Sequence, residues 1–170
     1  MSQMENPLLV ETVRSEWIDY NGHMTDSAYA KVFSIAVDQL MVEIGLGAEF
    51  REVNQYSIYT LETHLCYLKE AHEGQELRIN LQLLDFDSKR MHVFFTMINQ
   101  DGDWLATSEQ MLMGMNMKTG RPAPFPPSIQ SQIQGLVELQ QNLPKPKEAG
   151  RRIGLMKHSD SSRPPKNSSI

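Results

Sequence analysis

Between Thr25 and Gly45 apolar residues return every three or four positions: Ala28, Tyr29, Val32, Phe33, Ala36, Val37, Leu40, Met41 and Ile44. That spacing predicts one long helix, capped by Thr25 or Asp26 and stopped by Gly45 and Gly47. Ile35 and Val42 fall off the stripe, and a helix apolar on more than one side is wrapped by other structure, so this one is expected to be central. Elsewhere the period is two. A short strand is expected over 8–13 and a longer one over 56–68, where Leu61, Leu65 and Tyr67 share one face and Glu62, His64 and Cys66 the other. Leu77, Ile79, Leu81 and Leu83 alternate with polar residues, as do Met91, Val93, Phe95 and Met97, and a last strand spans 105–117. Asp101-Gly102 marks a hairpin. A loop or short helix is expected over 48–54, the proline-rich run at 122–127 breaks the sheet, and 128–143 reads as a second, weaker helix.

The order is therefore one strand, a long helix, then four antiparallel strands, an α+β arrangement in which a sheet curls around a helix. A length of 170 residues suits one domain with a real core. We divide it into a main domain at 1–127, a helix at 128–143 packed on or near it, and a basic, flexible tail at 144–170. From Lys145 onward seven Lys and Arg stand against Glu148 and Asp160, which leaves a net −10 on the body of a chain whose total is −5. An acidic body argues against a nucleic-acid groove. Lys145, Lys147, Arg151 and Arg152 are candidates for attracting phosphates, although such tails are more commonly solvated. The single Cys66 rules out an internal disulfide, and neither a signal peptide nor a membrane span is expected, so a reducing, cytoplasmic setting fits.

The candidate chemistry lies at Asp19-Tyr20-Asn21-Gly22-His23-Met24, where a carboxylate and a glycine turn run straight into the helix start. A helix N-terminus leaves amide groups unpaired and partly positive, a setting able to hold a carbonyl oxygen as it becomes an oxyanion. A carboxylate beside it is placed to act as base or nucleophile. The plainer alternative is that Asp19 only caps the turn. His23 with Asp19 and Asp26 raises a metal or a triad, but no second histidine sits at ligand spacing, so neither a metal nor another cofactor is expected and His23 is read as shaping the turn. His64, on a strand face with Glu62, is read as a satisfied histidine at a sheet surface or subunit interface. The methionines from Met111 to Met117 are read as packing.

These residues resemble a known family. The chain is similar to hotdog-fold acyl-CoA thioesterases of the 4-hydroxybenzoyl-CoA thioesterase type, whose motif is an Asp, two variable residues, Gly-His, an apolar residue and a Tyr five further on. Here the motif is Asp19, Gly22-His23, Met24 and Tyr29. The likeness runs over about 8–127 and takes in the strand Tyr59-Thr60-Leu61-Glu62-Thr63-His64 and the exit Arg121-Pro122-Ala123-Pro124. A narrower likeness, to betainyl-CoA thioesterases, rests on Glu16-Trp17-Ile18-Asp19-Tyr20-Asn21-Gly22-His23-Met24-Thr25 and Ala106-Thr107-Ser108-Glu109-Gln110-Met111. Many relatives carry Asn-Asn after the Gly-His pair, where this chain has Thr25-Asp26.

The resemblance implies a hotdog fold, an acyl-CoA substrate, Asp19 as the catalytic carboxylate, and the turn at Asn21, Gly22, His23 and Met24 as source of oxyanion amides. A sheet around one helix leaves an edge and a face to cover, so a homodimer or homotetramer is expected. A betaine acyl group is a quaternary ammonium, whose pocket needs aromatic faces or a carboxylate. Trp17, Tyr20, Tyr56, Tyr59 and Trp104 are candidate faces and Glu62 and Glu109 candidate charges, with Tyr29 and His64 as further candidate substrate-binding residues. Each of these residues, taken singly, is equally read as core or interface. The other class is a catalytically silent hotdog protein that binds an acyl-CoA or a partner enzyme; hydratase chemistry would need a His-Asp or His-Glu arrangement not evident here.

Overall fold

Alternating strands and one striped helix assemble, in the computed structural model, into a single antiparallel sheet with the helix on its concave face; residues 6–155 are described. In chain order the elements are β1 (Leu9–Thr12), a 3-10 turn (Ser15–Trp17), α1 (Asp26–Glu43), α2 (Ala48–Asn54), β2 (Tyr56–Tyr67), β3 (Glu76–Phe86), β4 (Arg90–Ile98), β5 (Trp104–Asn116), β6 (Arg121–Pro122) and α3 (Pro127–Gln140). The strands lie in the order β1-β3-β4-β5-β2, with β6 added to β5. This is the hotdog arrangement expected from the sequence. The proline-rich exit does more than end the sheet, because Arg121 and Pro122 first pair with Asn116 and Met115.

Register decides which residues meet the helix. Leu77, Ile79, Met91, Val93, Phe95, Met97 and Leu112 are buried together with Ala28, Tyr29, Val32, Phe33, Ala36, Val37, Leu40 and Met41 of α1. Phe33 and Phe95 stack with ring centroids 6.2 Å apart. Each such large side chain contributes about 1.5–3 kcal/mol when withdrawn from water. The opposite side of α1 is open, with Lys31, Ser34 and Asp38 exposed and Val42 56% exposed, so the sheet wraps the stripe without enclosing the helix. A bulge sets Leu61 aside between Thr60 and Glu62, after which Glu62, His64 and Cys66 pair with Met111, Glu109 and Thr107.

The last helix closes the core beside the end of α1. Ile129 and Ile133 of α3 enter the core, and Gln140 near its end donates through Nε2 to the Leu81 carbonyl (2.8 Å) and accepts the Leu83 amide (2.7 Å). β1 pairs with β3 only as far as Ile79, so this side chain satisfies edge groups that lie beyond the end of β1. Pro144, where the tail was expected to begin, accepts a hydrogen bond from Gln82, and Gly150 donates to Glu109. The segment between them thus lies against the convex face, over β3 to β5, and 156–170 lie outside the described residues. Gly114 has a local cause: a Cβ there would stand 1.8 Å from the Tyr56 hydroxyl, which crosses β5 to donate to the Ala123 carbonyl at 2.9 Å. Burial pushes the Tyr56 phenol up to about 12.

Candidate active site

The turn that carries Asp19 is closed by its own backbone. The Asp19 amide donates to the His23 carbonyl (2.9 Å), the Gly22 amide to the Asp19 carbonyl (3.0 Å), and Gly22 sits at φ +79°, where a side chain is disfavoured. Two further bonds fasten the turn to its surroundings, from the Met24 amide to Ala71 and from the Thr25 amide to Trp17, each 2.8 Å. α1 then begins at Asp26. Thr25 is the cap residue but makes no side-chain cap bond; Asp26 Oδ1 takes the Ser27 amide at 2.8 Å instead.

One carboxylate oxygen of the partly buried Asp19 accepts the Asn21 amide at 2.8 Å. The other has no hydrogen-bond partner among the described residues. Of the four turn amides named from sequence, those of Asn21, Gly22 and Met24 are engaged in holding the turn. The amides of His23 and of Asp26, the first residue of α1, have no partner among the described residues. Asp19, His23 and Asp26 line one cavity of about 360 Å³ with Met24, Tyr29, Tyr67, Leu68, Lys69 and Glu70. A carboxylate with one unengaged oxygen and two residues whose amides have no partner among the described residues therefore line one cavity.

Two tyrosines form a wall of it. Tyr29 and Tyr67 meet edge to face with centroids 5.3 Å apart; Tyr29 donates to the Lys69 carbonyl (3.2 Å) and Tyr67 to the Asp26 carbonyl (3.4 Å). Burial raises both phenols, so both are neutral donors at ordinary pH. Three carboxylates, Asp19, Asp26 and Glu70, face this cavity, while the ammonium of Lys69 is held by Asp103. Cations are favoured there.

The residues singled out from sequence fall into separate places. Asp19, His23, Met24 and Tyr29 come together. Glu62, His64 and Glu109 line a different cavity of about 310 Å³ on the convex face, with His92, Gln110, Met111, Gly150 and Arg151. There Glu109 lies 2.8 Å from His92 Nε2 and receives the Gly150 amide at 2.8 Å. Trp17 is in the core, its ring already covered by the Arg14 guanidinium at 4.9 Å. Tyr20 is 96% exposed at the turn, and Tyr59 lies exposed on β2 with its hydroxyl toward the Met117 sulfur. Trp104, at the start of β5, lines neither cavity. Sequence reading missed Tyr67, Lys69 and Glu70. Tyr67 was legible as an inward position of β2, but nothing in the spacing ties Glu70 and His72 to His23, which Glu70 meets at 3.1 Å and His72 edge to face at 5.1 Å.

Comparison with known proteins adds what geometry leaves open. Residues 13–133 match the model of the thioesterase-like superfamily. Betainyl-CoA thioesterase of Pseudomonas aeruginosa is 40% identical over 91% of this chain and 95% of its own length. An L-carnitine dehydrogenase/betainyl-CoA thioesterase of Rhizobium meliloti is 41% identical over 86% of this chain, which spans only 30% of that protein. A Staphylococcus aureus protein whose structure was determined in complex with CoA superposes with a TM-score of 0.83, at 36% identity over 87% of this chain and 94% of that one. The chain belongs to the thioesterase-like superfamily, as a hotdog-fold acyl-CoA thioesterase.

Proposed function

We propose that the protein hydrolyses betainyl-CoA to glycine betaine and CoA, with Asp19 as the catalytic carboxylate. One observation carries the catalytic part: Asp19, with one oxygen unengaged among the described residues, lines the same cavity as His23 and Asp26, whose amides have no partner among those residues either. In hydrolysis the oxygen of water, or of Asp19 itself, forms a bond to the thioester carbon. The carbonyl electrons move onto oxygen, where the two N–H groups stabilise the charge. Collapse re-forms the carbonyl and breaks the C–S bond, and CoA leaves as a thiolate that takes up the proton. If Asp19 attacks directly, water then cleaves the mixed anhydride. A single turnover in heavy-oxygen water reads the route in which water attacks the anhydride at the Asp19 carbonyl carbon, since the product then carries an unlabelled oxygen from Asp19 and the label enters Asp19.

The acyl group follows from charge. Three carboxylates and the Tyr29–Tyr67 pair around one space suit a quaternary ammonium, and relatives at 40% and 41% identity bear the betainyl-CoA name. The test compares betainyl-CoA with 3,3-dimethylbutyryl-CoA, in which carbon replaces the quaternary nitrogen at nearly the same shape. Each rate is first divided by the uncatalysed hydrolysis rate of the same compound, because the cation also activates the carbonyl. A desolvated cation–π contact of about 2 kcal/mol predicts a preference of at least roughly 30-fold in kcat/KM. A corrected ratio near one overturns the betaine reading and leaves the thioesterase intact.

A second copy of the chain completes the proposal. β2 pairs with β5 on one side only, and its residues Tyr59, Leu61 and Tyr67 are each about half exposed. A twelve-residue edge of this kind is a template for strand pairing. Pairing two β2 edges makes a homodimer and brings the partner close to the Tyr67 side of the cavity. Light scattering on the purified protein tests this; a monomer at micromolar concentration overturns it.

A further inference from the structure

We propose that His23, Glu70 and His72 form a binding site for a divalent transition-metal ion of the zinc class, at the rim of the Asp19 cavity. One ligand atom from each lies within 4.8 Å of the other two, and His23 Nε2 stands 3.1 Å from Glu70 Oε2. Donors bound at about 2.0–2.1 Å in a tetrahedral shell are separated by about 3.3–3.4 Å, so His23 and Glu70 already hold nearly that edge, with the His72 donor within 4.8 Å of both. Two imidazoles and one carboxylate suit zinc over calcium or magnesium, which take oxygen ligands. The fourth position is left to water.

Backbone geometry sets the three donors in place. Ala71 is fully buried, its carbonyl accepts the Met24 amide, and the exposed Glu70 and His72 that flank it both meet His23. His72 is further fixed by its amide, which donates to Gln75 Oε1 at 3.1 Å, and by its carbonyl, which accepts the Gln75 amide. His23 comes from the opposite side, on a turn held by four main-chain bonds. A metal ion would thus join the turn bearing Asp19 to the segment that follows β2.

The test uses tag-free, chelator-treated full-length protein and zinc chloride, followed by titration calorimetry and by thermal unfolding. The wild type is expected to bind one equivalent with micromolar affinity or better and to unfold at a higher temperature as zinc rises. His72→Ala and Glu70→Gln, both of exposed side chains, should each weaken binding by roughly tenfold or more while unfolding without metal as the wild type does. His92→Ala removes the imidazole of the other His/Glu pair and should leave the affinity unchanged. No binding by the wild type in the micromolar range overturns the site. So does equal affinity in His72→Ala, or loss of binding in His92→Ala, either of which places the ion elsewhere.

Discussion

Asp19 and Glu109 are both incompletely exposed carboxylates beside a histidine, yet their surroundings differ in one decisive respect. Glu109, whose side chain is 14% exposed, is engaged on both oxygens by His92 and the Gly150 amide, and its cavity offers no unpartnered helix-start amide. Asp19 has one oxygen fixed by Asn21, while its other oxygen and the His23 and Asp26 amides have no partner among the described residues. A carboxylate whose lone pairs are occupied holds structure together; one that is oriented but half used is available for chemistry. Burial alone would have chosen Glu109.

The sharpest way to break that contrast is Asp19→Asn. It should lower kcat by at least about 100-fold with KM and unfolding temperature little changed, because the amide keeps the Asn21 bond but neither attacks nor takes a proton. Steady-state kinetics check this, and near-normal turnover removes Asp19 from the mechanism. Next comes Tyr67→Leu, which should reduce the preference for the cationic over the neutral thioester by about 5- to 30-fold, matching the roughly 1–2 kcal/mol of a partly desolvated cation–π contact. Should Glu109→Gln abolish the preference and Tyr67→Leu spare it, the roles of the two cavities are reversed. Glu109→Gln is otherwise expected to keep kcat and the cation preference and to cost about 1–2 kcal/mol of stability in a urea titration, through weaker bonds to His92 and Gly150.

The smallest effect concerns neither carboxylate and serves as a control. Tyr56 titrates near 12 when folded and near 10 in an unfolded chain, so the unfolded state loses its proton first and binds fewer protons between those values. Stability should therefore fall as pH rises from about 10 toward 12, and Tyr56→Phe should flatten part of that slope. Alkaline denaturation followed by circular dichroism reads it, and an unchanged slope in the variant removes Tyr56 as its source.

The stripe of α1 and the alternation of β2 to β5 were readable because burial imposes a period on neighbouring residues, and even the face of Glu62, His64 and Cys66 followed from it. The Asp19 turn was legible too, since Gly22 and the helix start lie within a few residues of it. What stayed hidden depends on residues distant in the chain. The engagement of Asn21, Gly22 and Met24 amides, the capture of the Gly150 amide by Glu109 and the meeting of His23 with Glu70 all arise only after strands align. Trp17 shows the same limit: an aromatic beside the motif suggested a cation pocket, but its ring is already occupied by Arg14.

Gln140 has a consequence for assembly as well as for folding. By filling the groups that β3 exposes past β1, it blunts one end of the sheet, whose remaining margin there is the four-residue β1. The opposite margin, β2, is long and open. A sheet with two open margins adds copies head to tail without limit, as a filament does, whereas one with a single open margin meets its own kind once, about a twofold axis, and is finished. Unpinning that glutamine would bare a second stretch of strand margin, on β3.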